Sequence, residues 1–321
     1  MNILVTGGAG FIGSHVADAL LKEGHTVTIL DNLSTGKREN IPAGAELCVA
    51  DIRSAEAAAL IRQRRFDVLV HHAAQMDVRA SVADPGRDAD INIRGFLNLM
   101  EAARGRELQK VVFASTGGAI YGEPVYAPQD EEHPLRPLSP YGITKLATEK
   151  YLQFYRHQYG IDAVILRYAN VYGPRQNAHG DAGVVAIFSQ LMLGGEPPTI
   201  NGTGEQTRDY VFVGDVVRAN LAALAHDGSG TFNVGTGREV SVNALYNMIR
   251  AEAGAHTQMQ HGPGKPGEQQ RSVLDYKRAD ATLGWRPTVS VQDGIARTVT
   301  WFRNHRDDVP TASAPVTGHQ S

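Results

Sequence analysis

The sequence predicts an α/β fold, a doubly wound parallel sheet with a smaller α+β lobe set against it. Three observations carry this. From residue 1 to about 170, short apolar runs of strand length alternate with helix-period patterns, the arrangement that builds a parallel sheet through right-handed crossovers. The run from Asp67 to Ala74 is almost purely apolar, as a parallel strand covered on both faces should be. Beyond Asn170 glycine and proline become frequent, as in Gly173-Pro174, Gly194-Gly195 and Pro197-Pro198, and the elements shorten.

Taken in order, Asn2 to Val5 reads as a buried strand, and a turn of small residues leads from it into a helix. From Phe11 that helix carries Ile12, Val16, Ala19 and Leu20 at helical spacing. Thr26 to Leu30 is a second strand ending in Asp31, followed by Asn32. Glu46 to Ala50 is a third, followed by Asp51-Ile52. Ser54 caps a helix reaching Arg65, the apolar strand follows, and residues 88–104 carry a helical pattern through Ile91, Phe96, Leu97, Met100 and Ala103. Lys110 to Ser115 is another buried strand. Ser139 then caps a long helix with Pro140 at its first position, and Gly160 stops it. Asp162 to Tyr168 is the sixth strand. Thr231 to Val234 reads as a returning edge strand. The sheet domain of residues 1–170 is therefore interleaved, through a segment near 209–235, with a lobe of residues 171–305. Residues 306–321 lack periodicity and read as a disordered tail.

Composition bounds the function. At 321 residues, 42% hydrophobic and 20% charged, the chain suits one large or two intimate globular domains. A net charge of −3 gives no general attraction to nucleic acid or to an anionic membrane. No run approaches the length of a membrane span, and no secretory leader is read before Asn2. The one cysteine, Cys48, reads as core filler, so the cytoplasm is the expected compartment. No metal site is read: His71 and His72 are adjacent on a strand and face opposite sides. Asp130-Glu131-Glu132 reads as a solvated loop.

The strand-to-helix turn Thr6-Gly7-Gly8-Ala9-Gly10-Phe11-Ile12-Gly13 is suited to phosphate. Gly7 allows the tight turn, Gly10 lets backbone approach a diphosphate, and Gly13 lets helix and sheet pack closely. The helix N-terminus adds unpaired N–H groups and a partial positive charge. Asp31 can accept both hydroxyls of an adenosine ribose and repels a 2′-phosphate, so this Rossmann-type unit is expected to bind NAD rather than NADP, although Lys37 and Arg38 follow closely. At the start of the long helix, Tyr141 and Lys145 lie four apart on one face. A tyrosine hydroxyl, with a pKa of about 10, is a poor base at neutral pH, and a nearby ammonium lowers that value. A hydroxyl in Ser115-Thr116-Gly117-Gly118, at the preceding strand's end, can hydrogen-bond the substrate oxygen that tyrosine deprotonates.

Over roughly residues 1–305 the sequence resembles the extended short-chain dehydrogenase/reductase family, and within it the nucleotide-sugar 4-epimerases. The resemblance rests on the glycine turn, Asp31-Asn32, Asp51-Ile52, His72-Ala73-Ala74, Asn92, Tyr121-Gly122, Tyr141 with Lys145, and Leu166-Arg167-Tyr168. It extends through Asn170-Val171-Tyr172-Gly173-Pro174-Arg175 and Arg208-Asp209-Tyr210. It implies Tyr141 as base, Lys145 as its activator and Thr116 as the catalytic hydroxyl. Asp31, Asn32, Asp51 and Ile52 become adenosine contacts, and Ala73, Ala74, Gln75, Asn92 and Tyr168 line the rest of the NAD site. Asn170, Arg208, Lys265 and Gly117 would face a UDP-sugar, and the protein would be a homodimer. The implied activity interconverts UDP-glucose and UDP-galactose. The implied gate beside the sugar C2 group falls on Ser272, small enough to admit N-acetylated hexoses as well.

Two departures from the family pattern stand out. The hydroxyl stretch is one residue longer than usual: read from the strand it assigns Thr116, and read back from Tyr121-Gly122 it assigns Gly117. We take Thr116, because the chemistry needs a hydroxyl. Lys265-Pro266-Gly267-Glu268 stands where relatives carry an arginine, which keeps the charge and loses the bidentate fork. Three alternatives remain at this stage. A 4,6-dehydratase needs an acid/base pair where Gly117-Gly118 stands, a UDP-glucuronate decarboxylase or epimerase would share most of these motifs, and a non-catalytic NAD-binding module would not need Tyr141 and Lys145.

Overall fold

The computed structural model describes residues 1–178, 183–264 and 269–305. Its first half alternates β1 (Asn2–Thr6), α1 (Phe11–Lys22), β2 (Thr26–Asp31), β3 (Glu46–Val49), α2 (Ala55–Gln63), β4 (Val68–His71), the short α3 (Val78–Ala83) and α4 (Pro85–Ala89), α5 (Phe96–Ala103), β5 (Lys110–Thr116), α6 (Gly117–Tyr121), α7 (Pro140–Tyr159) and β6 (Asp162–Tyr168). The second half carries β7 (Asn170–Tyr172), α8 (Val184–Gly194), β8 (Thr199–Asn201), β9 (Thr207–Arg208), β10 (Tyr210–Phe212), α9 (Val213–Ala225), β11 (Gly230–Val234), β12 (Val240–Ser241), α10 (Val242–Ala253), β13 (Gln260–Gly262), α11 (Lys277–Leu283) and α12 (Val291–Asn304).

Seven strands form one parallel sheet in the order β11-β6-β5-β4-β1-β2-β3. Period-two alternation sends Ile3 and Val5 to one face and Leu4 to the other, and all three are buried. Val16, Ala17 and Leu20 of α1 with Val216, Ala219 and Ala223 of α9 cover the first face. On the second, Ala57 and Ile61 of α2, Phe96 and Met100 of α5, and Leu152 and Tyr155 of α7 do the same. Tyr172, Phe188, Ile200, Phe212, Tyr246, Ile295 and Val299 build a third core under the lobe. The chain runs outward from β1 through β2 and β3, then restarts at β4 on the other side of β1. The carboxyl ends of β1 and β4 thus flank a topological switch point, where open α/β sheets hold their ligands.

The element ends follow local chemistry. Ser54, Ser139, Ser241 and Ser290 each cap a helix with the side-chain oxygen, and Gly160, Gly195, Gly254 and Gly284 close helices in the left-handed region. Three expectations change. The single helix expected over 88–104 is broken: a π-helical stretch, Asp90–Gly95, joins α4 to α5, with Gly95 packed so close to Ile52 that a Cβ would lie 2.6 Å from its side chain. The strand expected to reach Ala74 ends at His71, because Ala73 N–H donates to Thr6 Oγ1 at 3.2 Å instead of continuing the ladder. Glu131 is not solvated: its carboxylate accepts from Asn233 N–H at 2.7 Å and lies 3.4 Å from Arg278, and burial pushes its pKa up. The expected tail of residues 306–321 lies outside the described residues.

Candidate active site

At Gly7, Gly8 and Gly13 the glycine turn leaves no room for a side chain. Gly7 has φ +69°, and a Cβ there would sit 2.7 Å from Ala73 N; at Gly13 it would sit 2.2 Å from the Gly7 carbonyl. Gly10 enters α1 in extended conformation with no side-chain cap, so the first turn presents its N–H groups to the switch point. The buried Asp31 carboxylate ends β2, oriented by Ala9 N–H on Oδ2 at 3.0 Å and Leu33 N–H on Oδ1 at 2.8 Å. Beside it Asn32 donates to Asp51. Arg53 grips both Asp51 oxygens and, with that hydrogen-bonded cation, holds the carboxyl down to about 2. Ile52 is buried. The Lys37 ammonium is paired with Glu39 at 3.0 Å. An amide-lined loop with a carboxylate at the next strand end fits a dinucleotide with a free ribose diol.

Thr116 is the last residue of β5, in register with Tyr168, and its Oγ1 accepts from Ala119 N–H at 3.3 Å to cap α6. A Cβ at Gly117 would meet the Leu274 side chain at 2.6 Å. Ser139 starts α7 by accepting from Gly142 N–H, which brings Tyr141 and Lys145 to the same end of the sheet. Lys145 is buried. Its Nζ donates to the Ala114 carbonyl at 2.9 Å and lies 4.8 Å from the Phe113 ring centre and 5.9 Å from that of Tyr141. Burial pushes it down to about 8, against the pull of Asp88 and Glu149. The four-residue spacing predicted a tyrosine acidified by Lys145. In the structure burial and then Asp88 raise Tyr141 above its ordinary value, and the ammonium is engaged by a carbonyl.

Asn92 and Gln75 meet: Asn92 Oδ1 accepts from Gln75 N–H at 2.9 Å, and its Nδ2 donates back to the Gln75 carbonyl at 2.9 Å. Ala73 and Ala74 follow β4 beside them. Tyr168, buried at the end of β6, shares its hydroxyl with Asn220 at 2.8 Å and His72 Nε2 at 3.3 Å. In the lobe, Asn170 heads β7, pairs with Tyr210 of β10 and donates its N–H to the Asp209 carbonyl at 2.9 Å, while Arg208 lies in β9, paired with Val240 of β12. Arg208-Asp209 is no surface ion pair. Asp209 is buried, accepting from Thr236 N–H and Oγ1, Gly237 N–H and Leu274 N–H. The backbone of Ser272 accepts from Asp209 N–H at 2.8 Å, and its Oγ lies 3.6 Å from where a Gly118 Cβ would stand. Ser272 thus borders the Thr116-Gly117-Gly118 turn. Lys265 lies outside the described residues.

Asp88 and Glu149 anchor two buried networks that no sequence motif marks. Asp88 accepts from Gln75, Asn92 and Thr144. Glu149, one turn beyond Lys145, takes a bidentate grip from Arg167 at 3.0 and 2.7 Å and a bond from Ser115 Oγ at 2.6 Å, while Arg167 also donates to Tyr121 Oη at 2.9 Å. An arginine in the apolar run of β6 was the available signal, since a buried charge requires a partner.

Residues 3–235 match the model of the "NAD dependent epimerase/dehydratase family". A UDP-glucose 4-epimerase of Mycolicibacterium smegmatis is 46% identical over 310 residues, covering 95% of this chain and 99% of that one. Among solved structures, the Thermotoga maritima UDP-glucose 4-epimerase with UDP-glucose superposes with a TM-score of 0.93 at 47% identity, covering 95% of this chain and all of that one. The Thermus thermophilus UDP-glucose 4-epimerase in complex with NAD gives a TM-score of 0.89 at 47% identity, covering 94% of this chain and 99% of that one. With the sheet order, the switch-point loop and the Tyr141–Lys145 helix, these similarities show that the chain belongs to the NAD-dependent epimerase/dehydratase family.

Proposed function

We propose that this protein is an NAD-dependent UDP-sugar 4-epimerase that interconverts UDP-glucose and UDP-galactose. The observation that carries this is the convergence of Tyr141, Lys145 and Thr116 at the carboxyl end of the sheet, beside a dinucleotide cradle, with Gly117-Gly118 where a dehydratase needs an acid/base pair. The glycine loop would hold the diphosphate of NAD, Asp31 its adenosine ribose, and Ala73, Ala74, Gln75, Asn92 and Tyr168 the far end. When bound, NAD supplies an acceptor for the C4 hydride and a donor for its return, so the cycle is redox-neutral. The matching proton belongs to Tyr141, which takes it from the 4-hydroxyl and gives it back. Thr116 holds the same oxygen, and Lys145 supplies the nearby positive charge. Arg208 and Lys265 hold the diphosphate and Asn170 faces the UDP-sugar, leaving the hexose free to turn over as the 4-ketone. Ser272 bounds the space beside its C2.

We also read the protein as a homodimer and a cytoplasmic enzyme of carbohydrate metabolism. Ile143, Tyr151 and Phe154 expose apolar side chains along one side of α7, with Ile143 and Phe154 53% and 47% exposed, and this supports helix-to-helix association. No described helix is long and apolar enough to cross a membrane. Tyr141→Phe tests the proposal: kcat should fall by about 10²–10⁴, the worth of a positioned acid/base group, and Lys145→Ala should move the acid limb of the pH profile to higher pH. Wild-type turnover by Tyr141→Phe would refute the assignment.

A further inference from the structure

Asp88 is a buried acid that the proposed chemistry does not use. It is 1% exposed in α4, and three neutral donors reach it: Gln75 Nε2 on Oδ1 at 2.9 Å, Asn92 Nδ2 on Oδ1 at 3.1 Å, and Thr144 Oγ1 on Oδ2 at 2.8 Å. These partners orient the carboxylate without cancelling its charge. Thr144 lies on the single helical turn between Tyr141 and Lys145, and its Oγ1 also stands 3.0 Å from the Tyr141 carbonyl. The anion is therefore fixed to the part of α7 that carries both groups.

We propose that Asp88 is a positioning residue of this site: a carboxylate held by Gln75, Asn92 and Thr144 against the turn of α7 that carries Tyr141 and Lys145, acting on both groups by its charge. This rests on Tyr141 being the proton carrier. A group that takes a proton in one half of a cycle and returns it in the other works best with its affinity poised between base and acid. Lys145 alone biases the phenol toward giving its proton up. Asp88 opposes that bias at Tyr141, adding to the effect of burial, and at Lys145 it opposes burial, favouring the charged ammonium. Among the described residues the other titratable groups facing the pair are His71 of β4 and His72 just after it, kept neutral by burial and by the Lys145 charge, and Glu149 of α7, itself paired with Arg167 of β6. Glu149 bears on Lys145, whereas Asp88 bears on both groups.

Asp88→Asn tests this because it removes charge and little else. The amide oxygen keeps the Gln75 and Asn92 bonds, and the amide NH2 donates to Thr144 Oγ1, which keeps its own bond to the Tyr141 carbonyl. The Tyr141 ring is followed by ¹³Cζ-tyrosine NMR across pH in the enzyme as purified, its resonance assigned by its loss in Tyr141→Phe. Ionisation should begin about one pH unit or more lower in Asp88→Asn, roughly tenfold in the ionisation constant, and the acid limb of kcat/KM should move down with it. If Asp88→Asn fails to fold, Asp88→Ser, which also lacks the charge, carries the same expectation. Thr144→Val, which keeps the charge and loses the bond, should shift either readout far less. An unchanged acid limb in folded Asp88→Asn, or an equal shift in Thr144→Val, would overturn the proposal. The NMR arm does not depend on UDP-sugar turnover. A shifted phenol in a protein without epimerase activity would remove the proposed function and leave the Asp88 assignment standing.

Discussion

Replacing Arg167 by methionine should destabilise the protein by about 3–5 kcal/mol, the usual consequence of stripping one partner from a buried ion pair. The geometry supports the upper part of that range. Both side chains are almost fully enclosed, 6% exposed for Arg167 and 2% for Glu149, and the grip is bidentate. Methionine fills most of the volume, so the penalty comes from leaving the Glu149 carboxylate with only the Ser115 hydroxyl and Tyr121 Oη without its guanidinium donor. Against a typical total stability of about 5–15 kcal/mol this is a large fraction. Equilibrium urea unfolding followed by circular dichroism measures it at pH 8. Removing the carboxylate as well, in Arg167→Met with Glu149→Leu, should recover part of the loss. A deficit under about 1 kcal/mol, or no recovery in the double variant, would refute this view of the pair.

Other perturbations separate parts of the site. Gly13→Ala drives a methyl to 2.2 Å from the Gly7 carbonyl, so protein purified without added cofactor should release less than about a tenth of the wild-type NAD(H) on denaturation; full loading would contradict the close-packing argument. Thr116→Ala should lower kcat by about a hundredfold, and adding Gly117→Ser should not restore it, because a side chain there meets Leu274 at 2.6 Å; rescue would mean the hydroxyl position is that of Gly117. Ser272→Tyr should cut kcat/KM for UDP-N-acetylglucosamine at least tenfold, about 1.4 kcal/mol, while sparing UDP-glucose. Equal losses on both would remove Ser272 as the gate.

What could be read in advance was what the backbone demands locally. The glycine turn, the serine caps and the alternation of apolar runs are short-range requirements, and the sheet, its order of strands and helices, and the positions of Asp31, Tyr141 and Thr116 followed from them. Pairing across the fold was not legible. That Glu149 answers Arg167 across 18 residues, that Asp88 answers Thr144 across 56, and that Glu131 reaches Asn233 depend on which elements the crossovers bring together. Spacing also says which face a side chain takes, not what it meets there. Lys145 shares a face with Tyr141 and yet bonds the Ala114 carbonyl, because β5 ends directly opposite it. The π-helical stretch hid for a related reason: one wide turn barely disturbs the apolar period of the segment that contains it.

The most direct test of the central claim is a proton NMR time course of the purified protein with NAD and UDP-glucose, read for product identity. The site described here predicts UDP-galactose accumulating to a fixed ratio with UDP-glucose, approached from either sugar, with no net NADH formed and no product in Tyr141→Phe. A 4-keto-6-deoxy sugar, a pentose product from UDP-glucuronate without any conversion of UDP-glucose, or stoichiometric NADH would contradict it.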